Sequence, residues 1–153
     1  MTTSKLLIIY HTQTGNTEKM AREVLRGAEE IEEVDIRFKR AFEADLEDLL
    51  WSDGILIGTP ENFGYMSGAV KDFLDRTYYP AQNKFFNKPY GIFISCENDG
   101  SGAVYNIQRI AKGYPLKQVV EPIICKGEVT DEYLLRCHEM GMTLAAGISM
   151  SIY

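Results

Sequence analysis

The chain has 153 residues, of which 45% are hydrophobic and 25% charged, and this composition is typical of a single globular domain, here residues 1–153. With 16 basic and 22 acidic residues the net charge is −6, and such a surface would repel the phosphates of nucleic acid. No apolar run approaches the roughly 18 residues of a membrane span, and the first residues lack a signal-peptide pattern.

Strand patterns and helix patterns alternate along the chain. The apolar run Leu6–Ile9 predicts a buried first strand. A first helix is indicated by apolar residues at helical spacing: Ala21, Val24, Leu25 and Ala28. Alternation over Val34–Phe38 predicts a half-exposed strand at the edge of a sheet. A short acidic helix is predicted over Ala44–Leu50, with Trp51 packed in the core at its end.

The middle of the chain repeats this alternation. Asp53–Gly58 and Tyr90–Ser95 are apolar runs that predict two fully buried strands. Ala69–Tyr79 and Ala103–Lys112 have helical periodicity, and Ser67 is the expected N-cap of the first of these helices.

The last part of the chain predicts one more strand and one more helix. The strand, Val119–Cys125, contains Pro122, which suits a sheet edge or a bulge because proline cannot donate to a strand ladder. The helix begins after Thr130. Five strands interleaved with five helices predict an α/β fold, a parallel sheet in the order 2-1-3-4-5 with helices on both faces.

Three polar, glycine-containing loops follow the first, third and fourth strands, over residues 12–17, 59–68 and 95–102. In a doubly wound sheet the carboxyl ends of these strands meet at the topological switch point, where ligands bind. The three loops therefore predict one ligand site.

The first loop, Thr-Gln-Thr-Gly-Asn-Thr, stands at a helix N-terminus, where backbone N–H groups favour an anion. It contains no Lys or Arg, and the Gly-x-x-x-x-Gly-Lys-Ser/Thr pattern of nucleoside-triphosphate loops is absent. A phosphate that stays bound therefore fits better than one that is transferred. A turn that merely caps the helix is the alternative.

The second loop has an apolar and aromatic surface in Phe63, Tyr65 and Met66, which suits a planar heterocycle. The alternative is that Phe63 and Met66 fold into the core. The third loop begins like a dinucleotide fingerprint, but Tyr105 stands where the third glycine belongs, so we interpret it as a flexible wall. Cys96 is assigned a packing role, because no histidine is placed to activate it.

The cysteines form no Cys-x-x-Cys pair, and the two histidines have no metal-ligand spacing. Reduced thiols, no bound metal and a cytoplasmic location are the expectations.

With these loops the chain resembles the flavodoxin-like flavoprotein superfamily over nearly its whole length. The first loop, residues 12–17, is similar to the FMN-phosphate loop of that superfamily. Pro-x-x-Phe-Gly-x-Met-Ser-Gly at residues 60–68, followed by Lys-Asp-Phe-Leu-Asp-Arg at 71–76, resembles its NAD(P)H-dependent FMN and quinone reductase branch.

The resemblance implies a flavodoxin-like three-layer sandwich that binds FMN. It implies that the first loop holds the phosphate, that the second contacts the isoalloxazine ring and ribityl chain, and that the third closes over the pyrimidine side. The cofactor-binding residues predicted in this way are Thr12, Gln13, Thr14, Gly15, Asn16, Thr17, Thr59, Pro60, Glu61, Asn62, Phe63, Gly64, Tyr65, Met66, Ser95, Cys96, Glu97, Asn98, Gly100 and Gly102.

The resemblance implies an NAD(P)H-dependent oxidoreductase that passes electrons to a quinone, a flavin or a similar small molecule. The alternative is a flavodoxin-type electron carrier that docks on a redox protein. Glu61-Asn62 stands where the reductase branch often has a hydroxyl and an arginine, whereas the third loop lacks the aromatic residue that carriers place there. A homodimer through the helix that begins near Ala69 is a further implication, and no catalytic acid or base is assigned.

Overall fold

The computed structural model describes residues 3–84 and 87–153. Its elements in chain order are β1 (Ser4–Tyr10), α1 (Asn16–Glu29), β2 (Val34–Arg40), α2 (Leu46–Trp51), β3 (Gly54–Pro60), α3 (Gly68–Ala81), β4 (Lys88–Cys96), α4 (Ser101–Gly113), β5 (Leu116–Gln118), β6 (Ile123–Lys126) and α5 (Asp131–Ser149). The strands pair in parallel in the order β2-β1-β3-β4-β5, and β6 also pairs with β4. The predicted strand order is confirmed, with β2 at an edge.

The predicted fifth strand, Val119–Cys125, overlaps only β6, and a separate short strand, β5, lies just before it. β5 pairs with β4 at Lys88–Tyr90, and β6 pairs with β4 at Phe93–Cys96. The prediction of one continuous strand over Val119–Cys125 is therefore wrong. Pro122 directly precedes β6 and has no N–H to donate, so the ladder is interrupted before it resumes.

Two hydrophobic cores lie on opposite faces of the sheet because successive strand side chains point in opposite directions. Leu6 and Ile8 of β1 belong to the core under α1 and α5, whereas Leu7 and Ile9 belong to the core under α2, α3 and α4. All four side chains are fully buried. Helices on both faces give the predicted three-layer arrangement.

Helices α1 and α5 pack closely through two glycines. A Cβ atom added at Gly27 would lie 1.9 Å from the carbonyl oxygen of His138, and one added at Gly141 would lie 2.0 Å from that of Val24. Such distances are far below van der Waals contact. Only a residue without a side chain allows this approach of the two backbones.

The end of α2 differs from expectation. Trp51 is the last residue of α2 and is only half-buried, with the guanidinium of Arg37 over its ring at 4.2 Å. The core role predicted for Trp51 is wrong, because a surface cation covers the ring instead. Within the described parts of the chain, no helix is both long and apolar enough to cross a membrane.

Candidate functional site

The three polar loops meet at the carboxyl ends of β1, β3 and β4. There they enclose a cleft of about 150 Å³. The residues lining it are Thr12, Gln13, Thr14, Asn16, Thr17, Pro60, Glu61, Asn62, Ser95, Cys96 and Glu97. Each of the three loops supplies part of the wall, so the convergence expected from the strand order is present in the structure.

The first turn of α1 is open to a ligand. Gly15 precedes the helix in a left-handed conformation (φ 102°), and no side chain at this position caps the helix. The Gly15 N–H donates to Thr12 Oγ1 at 3.0 Å, which closes the loop on itself. The first N–H groups of a helix have no intrahelical partner. Those of α1 therefore border the cleft as donors for an anion.

The first loop is fastened to the end of β4 by two buried hydroxyls. Thr17 Oγ1 and Ser95 Oγ lie 2.7 Å apart, and both side chains are buried. The hydrogen bond joins the start of α1 to the start of the third loop. This hydrogen bond holds two walls of the cleft at a fixed separation. It also occupies the Thr17 hydroxyl, which is shared with Ser95 before any ligand binds.

The tip of the second loop is a tight two-residue turn. Asn62 and Tyr65 exchange backbone hydrogen bonds at 2.8 and 3.0 Å, and both central residues have positive φ (Phe63 54°, Gly64 71°). These angles are those of a type I′ turn. A Cβ at Gly102 would lie 2.0 Å from the Gly64 carbonyl oxygen, so the turn presses directly on the start of α4.

Glu61 joins the second loop to the third. Its carboxylate accepts hydrogen bonds from the N–H groups of Gly100 (2.9 Å) and Ala103 (3.3 Å), while its own N–H donates to the Ser95 carbonyl at 2.9 Å. The N-terminus of α4 is therefore capped by a carboxylate of the protein itself. Of these two helix starts beside the cleft, that of α1 remains available to an external anion.

Several predicted residues lie outside the lining of the cleft. Met66 is 2% exposed and packs in the core under α3, so of the two alternatives for this residue the structure selects the core, and its side chain does not line the cleft. Thr59 is fully buried, and its hydroxyl accepts from the Ser67 N–H at 2.9 Å and donates to the Pro60 carbonyl at 2.8 Å. Both residues therefore support the second loop from the protein interior and do not line the cleft.

The other predicted residues outside the lining lie on the rim or in the turns. Phe63 is fully exposed, which excludes the alternative that its side chain folds into the core. Asn98 is exposed on the third loop, and Gly100 is buried beneath it. Tyr65 is half-buried and faces a second depression, between α3 and α4.

Cys96 lines the cleft at the end of β4 and is nearly buried. Burial raises the pKa of its thiol, and the carboxylate of Glu61 adds to this effect. The thiol therefore stays protonated at neutral pH and is a poor nucleophile. This agrees with the packing role that the sequence indicates for it.

Sequence reasoning missed the cap on α4 and the depression between α3 and α4. Gly100 at the N-cap has no side-chain oxygen, which was a signal that α4 needs a distant acceptor. The depression was harder to predict from the sequence, because its residues Tyr79 and Arg109 look like ordinary exposed residues of two separate helices.

The chain is similar to known flavoproteins and flavin reductases in sequence. A family model described as NADPH-dependent FMN reductase matches residues 4–121. The flavodoxin of Aquifex aeolicus is 48% identical over 71 residues, 46% of this chain and 38% of the relative. The NAD(P)H dehydrogenase (quinone) of Acidithiobacillus ferrooxidans is 30% identical over 120 residues, 65% of this chain and 60% of the relative. This chain thus covers less than two thirds of either relative.

Among solved structures, oxidised flavodoxin 1 from Bacillus cereus has a TM-score of 0.82 at 23% identity, covering 95% of this chain and 100% of that one. This likeness confirms the flavodoxin-like fold.

Proposed function

Because this chain belongs to the family of NADPH-dependent FMN reductases, we propose that it is an FMN-dependent oxidoreductase that takes a hydride from NAD(P)H. Its electrons pass to a quinone, a free flavin or a similar small acceptor. FMN is the cofactor that the family assigns, in agreement with the sequence prediction. The similarity to a quinone-reducing dehydrogenase supports this choice of reaction.

The observation that carries the proposal is the uncapped first turn of α1 at the cleft. The donors present there fit a phosphate: backbone N–H groups, the hydroxyls of Thr12 and Thr14, and the amide of Asn16. Because the Glu61 carboxylate already caps α4, we assign the FMN phosphate to α1.

Beyond the first loop, the residues that line the cleft come from the second and third loops. We assign Pro60 and Asn62 of the second loop, and Cys96 and Glu97 of the third, to the ring and ribityl chain of FMN. The bound FMN supplies the redox chemistry, accepting a hydride and releasing its electrons to the acceptor. The protein holds the ring still, because the Thr17–Ser95 hydrogen bond and the Glu61 cap fix the loops around it.

A flavodoxin-type electron carrier is the second candidate. It is favoured by the 48% identity to the Aquifex flavodoxin over 71 residues and by the net charge of −6, which would attract a basic redox partner. The cytoplasmic location and the homodimer stay predictions.

Anaerobic titration of the FMN-loaded protein with NADPH and then NADH separates the two candidates, with the flavin absorption band as the readout. We expect the band to bleach within seconds of nucleotide addition. A bound flavin that neither nucleotide reduces, and that dithionite does reduce, would support the carrier instead. Failure to take up FMN at all would contradict both candidates.

A further inference from the structure

A groove of about 430 Å³ lies between α3 and α4, next to the second loop and separate from the cleft. Its size falls in the range of roughly 300–1,000 Å³ that is usual for small-molecule sites. The residues that matter for its chemistry are Tyr65, Lys71, Tyr78, Tyr79, Asn106 and Arg109. They combine flat aromatic surface with positive charge.

The aromatic part of the groove is held in place. A Cβ at Gly113 would lie 2.5 Å from the Tyr78 hydroxyl, so the Tyr78 ring rests directly on the end of α4. The ring of Tyr78 also meets the rings of Tyr114 and Tyr79 edge-on, with centroids 5.1 and 5.2 Å apart. Tyr79 is 78% exposed beside this fixed ring. An exposed aromatic ring with a supported neighbour can stack on a planar base.

Three charged side chains line the groove, those of Lys71, Asp75 and Arg109, so two cations face one carboxylate. The charged residues of α4 are Arg109 and Lys112, both exposed, and neither has a carboxylate within 4.0 Å in the described chain. Lys71 on the facing helix pairs with Asp75, and that hydrogen bond raises the pKa of Lys71 and keeps it cationic. In a chain of net charge −6, this is a local surplus of positive charge suited to phosphate.

The groove begins where the second and third loops meet. Asn106 Nδ2 donates to the Gly102 carbonyl at 2.8 Å, and Gly102 is the residue on which the Gly64 turn presses. From there the groove runs along the helices past Tyr78. Lys71 and Tyr78 are seven positions apart on α3, a separation of about 10 Å at about 1.5 Å per residue. Asn62 lines the cleft and Tyr65, three residues later in the same loop, lines the groove, so an elongated ligand could extend from one to the other.

We propose that this groove binds the adenosine phosphate end of the nicotinamide nucleotide, with the base on Tyr79 and a phosphate on Arg109. This inference rests on the proposed reductase function and adds the subsite for the non-reacting half of the donor. The site is concave and flanked by tyrosines, which suits a nucleotide better than the flat, extended contact of an acidic protein partner.

The test uses the FMN-loaded protein and its Arg109→Glu, Arg109→Lys and Tyr79→Ala variants. Arg136→Glu is the matched control, because Arg136 is also exposed, lies over the ring of Tyr133 at 5.7 Å and stands on α5 at the opposite face of the sheet. Steady-state reduction by NADPH gives KM and kcat. Calorimetric titration with adenosine 2′,5′-bisphosphate gives the affinity of the groove without any turnover.

We expect Arg109→Glu to raise the KM for NADPH and the Kd for the bisphosphate about ten-fold or more, because a charged phosphate contact becomes a repulsion. The kcat should stay within about two-fold, since the chemistry takes place in the cleft. Arg109→Lys should recover part of the affinity, Tyr79→Ala should weaken it several-fold, and Arg136→Glu should match the wild type.

The two proposals fail in different ways. If NADPH reduces the wild type but Arg109→Glu leaves KM and Kd unchanged, the groove assignment is overturned and the reductase function stands. If neither nucleotide reduces the flavin, the reductase function fails, and the groove remains a nucleotide site only if the bisphosphate binds in an Arg109-dependent way. If the wild type sediments as a dimer that Arg109→Glu dissociates, with no binding of the bisphosphate, a second copy occupies the groove and the assignment is overturned.

Discussion

The carboxylate of Glu61 lies 2.9 Å from the backbone N–H of Gly100, so a residue of the second loop caps the helix that follows the third. The same carboxylate accepts from the N–H of Ala103, in the first turn of α4. One side chain therefore sets the distance between two walls of the cleft. Its removal should affect both folding stability and cofactor affinity.

We predict that Glu61→Ala lowers the free energy of unfolding of the apoprotein by about 1–2 kcal/mol, the usual cost of losing a helix cap. It should also raise the Kd for FMN several-fold, because the third loop is no longer held against the second. Urea unfolding and quenching of FMN fluorescence measure the two effects. Glu121→Ala is the control, because Glu121 is exposed, lies between β5 and β6 and does not line the cleft. Unchanged stability in Glu61→Ala would contradict the capping role.

The open N-terminus of α1 gives a test that is specific for phosphate. Thr14→Glu places a carboxylate where we assign the FMN phosphate, and like charges a few ångströms apart repel by about 1–4 kcal/mol near a protein surface. We expect the Kd for FMN to rise about ten-fold or more, while the Kd for riboflavin, which lacks the phosphate, changes little.

Thr143→Glu makes the same substitution at an exposed position of α5, away from the cleft, and should leave both affinities unchanged. An equal loss of FMN and riboflavin affinity in Thr14→Glu would move the phosphate away from the first loop.

Because α1 packs so closely against α5, we predict that only glycine is tolerated at position 141. Gly141→Ala puts a methyl group 2.0 Å from the backbone oxygen of Val24, which only a separation of the helices can relieve. We expect a loss of about 2 kcal/mol or more in the free energy of unfolding. At Gly68, a Cβ meets nothing within 4 Å, so Gly68→Ala should be neutral or slightly stabilising. Urea unfolding of both variants measures the difference, and equal stabilities would refute the packing argument.

Asp48 should make stability depend on acid pH. Burial alone would raise the pKa of its carboxyl, but hydrogen bonds from Lys39, from the Asp45 N–H and from Arg37 lower it below its usual 3.8. Because the pKa of Asp48 is lower in the folded state than in the unfolded state, its charged carboxylate stabilises the fold fully above about pH 5. This stabilisation is lost as the pH falls through the folded-state pKa.

The matching variant is Asp48→Asn, which keeps the shape of the side chain and removes its charge. We expect it to be destabilised at pH 7, with a gap to the wild type that shrinks steadily below about pH 4. Unfolding free energies measured from pH 7 to pH 2.5 give this gap directly. A gap that stays constant over the range would show that the charge of Asp48 contributes nothing.

The elements that could be predicted are those whose signal is local. The buried strands are contiguous apolar runs such as Leu6–Ile9, and the alternation of strands with helices leaves few topologies once crossovers are right-handed. The loops of the site could be found for the same reason, since their polar composition follows strand ends. The division at Pro122 was partly visible, because the proline was recognised but the position of the break depends on pairing with β4.

What sequence reasoning missed depends on contacts between distant residues. The capping of α4 by Glu61 joins positions 39 apart, and although Gly100 shows that the helix lacks a cap of its own, nothing near it identifies Glu61 as the acceptor. Met66 lies in a loop without periodicity, so its burial could be predicted only as an alternative, which the spacing could not decide. The groove between α3 and α4 is lined by residues of both helices, Tyr79 and Arg109 among them, and these helices are separated in the chain by β4.

The turn at Phe63 has a consequence for how such a protein can evolve. Its backbone is clamped on both sides, by the paired amides of Asn62 and Tyr65 and by the contact of Gly64 with Gly102, while the Phe63 side chain is fully exposed. Because Phe63 has a φ of 54°, Asn, Asp or Gly can replace it at little cost in folding, whereas a β-branched residue or proline would be strained. Each tolerated substitution alters the surface beside the cleft. The exposed surface at this position can therefore vary within that set of residues while the backbone around the cleft stays the same.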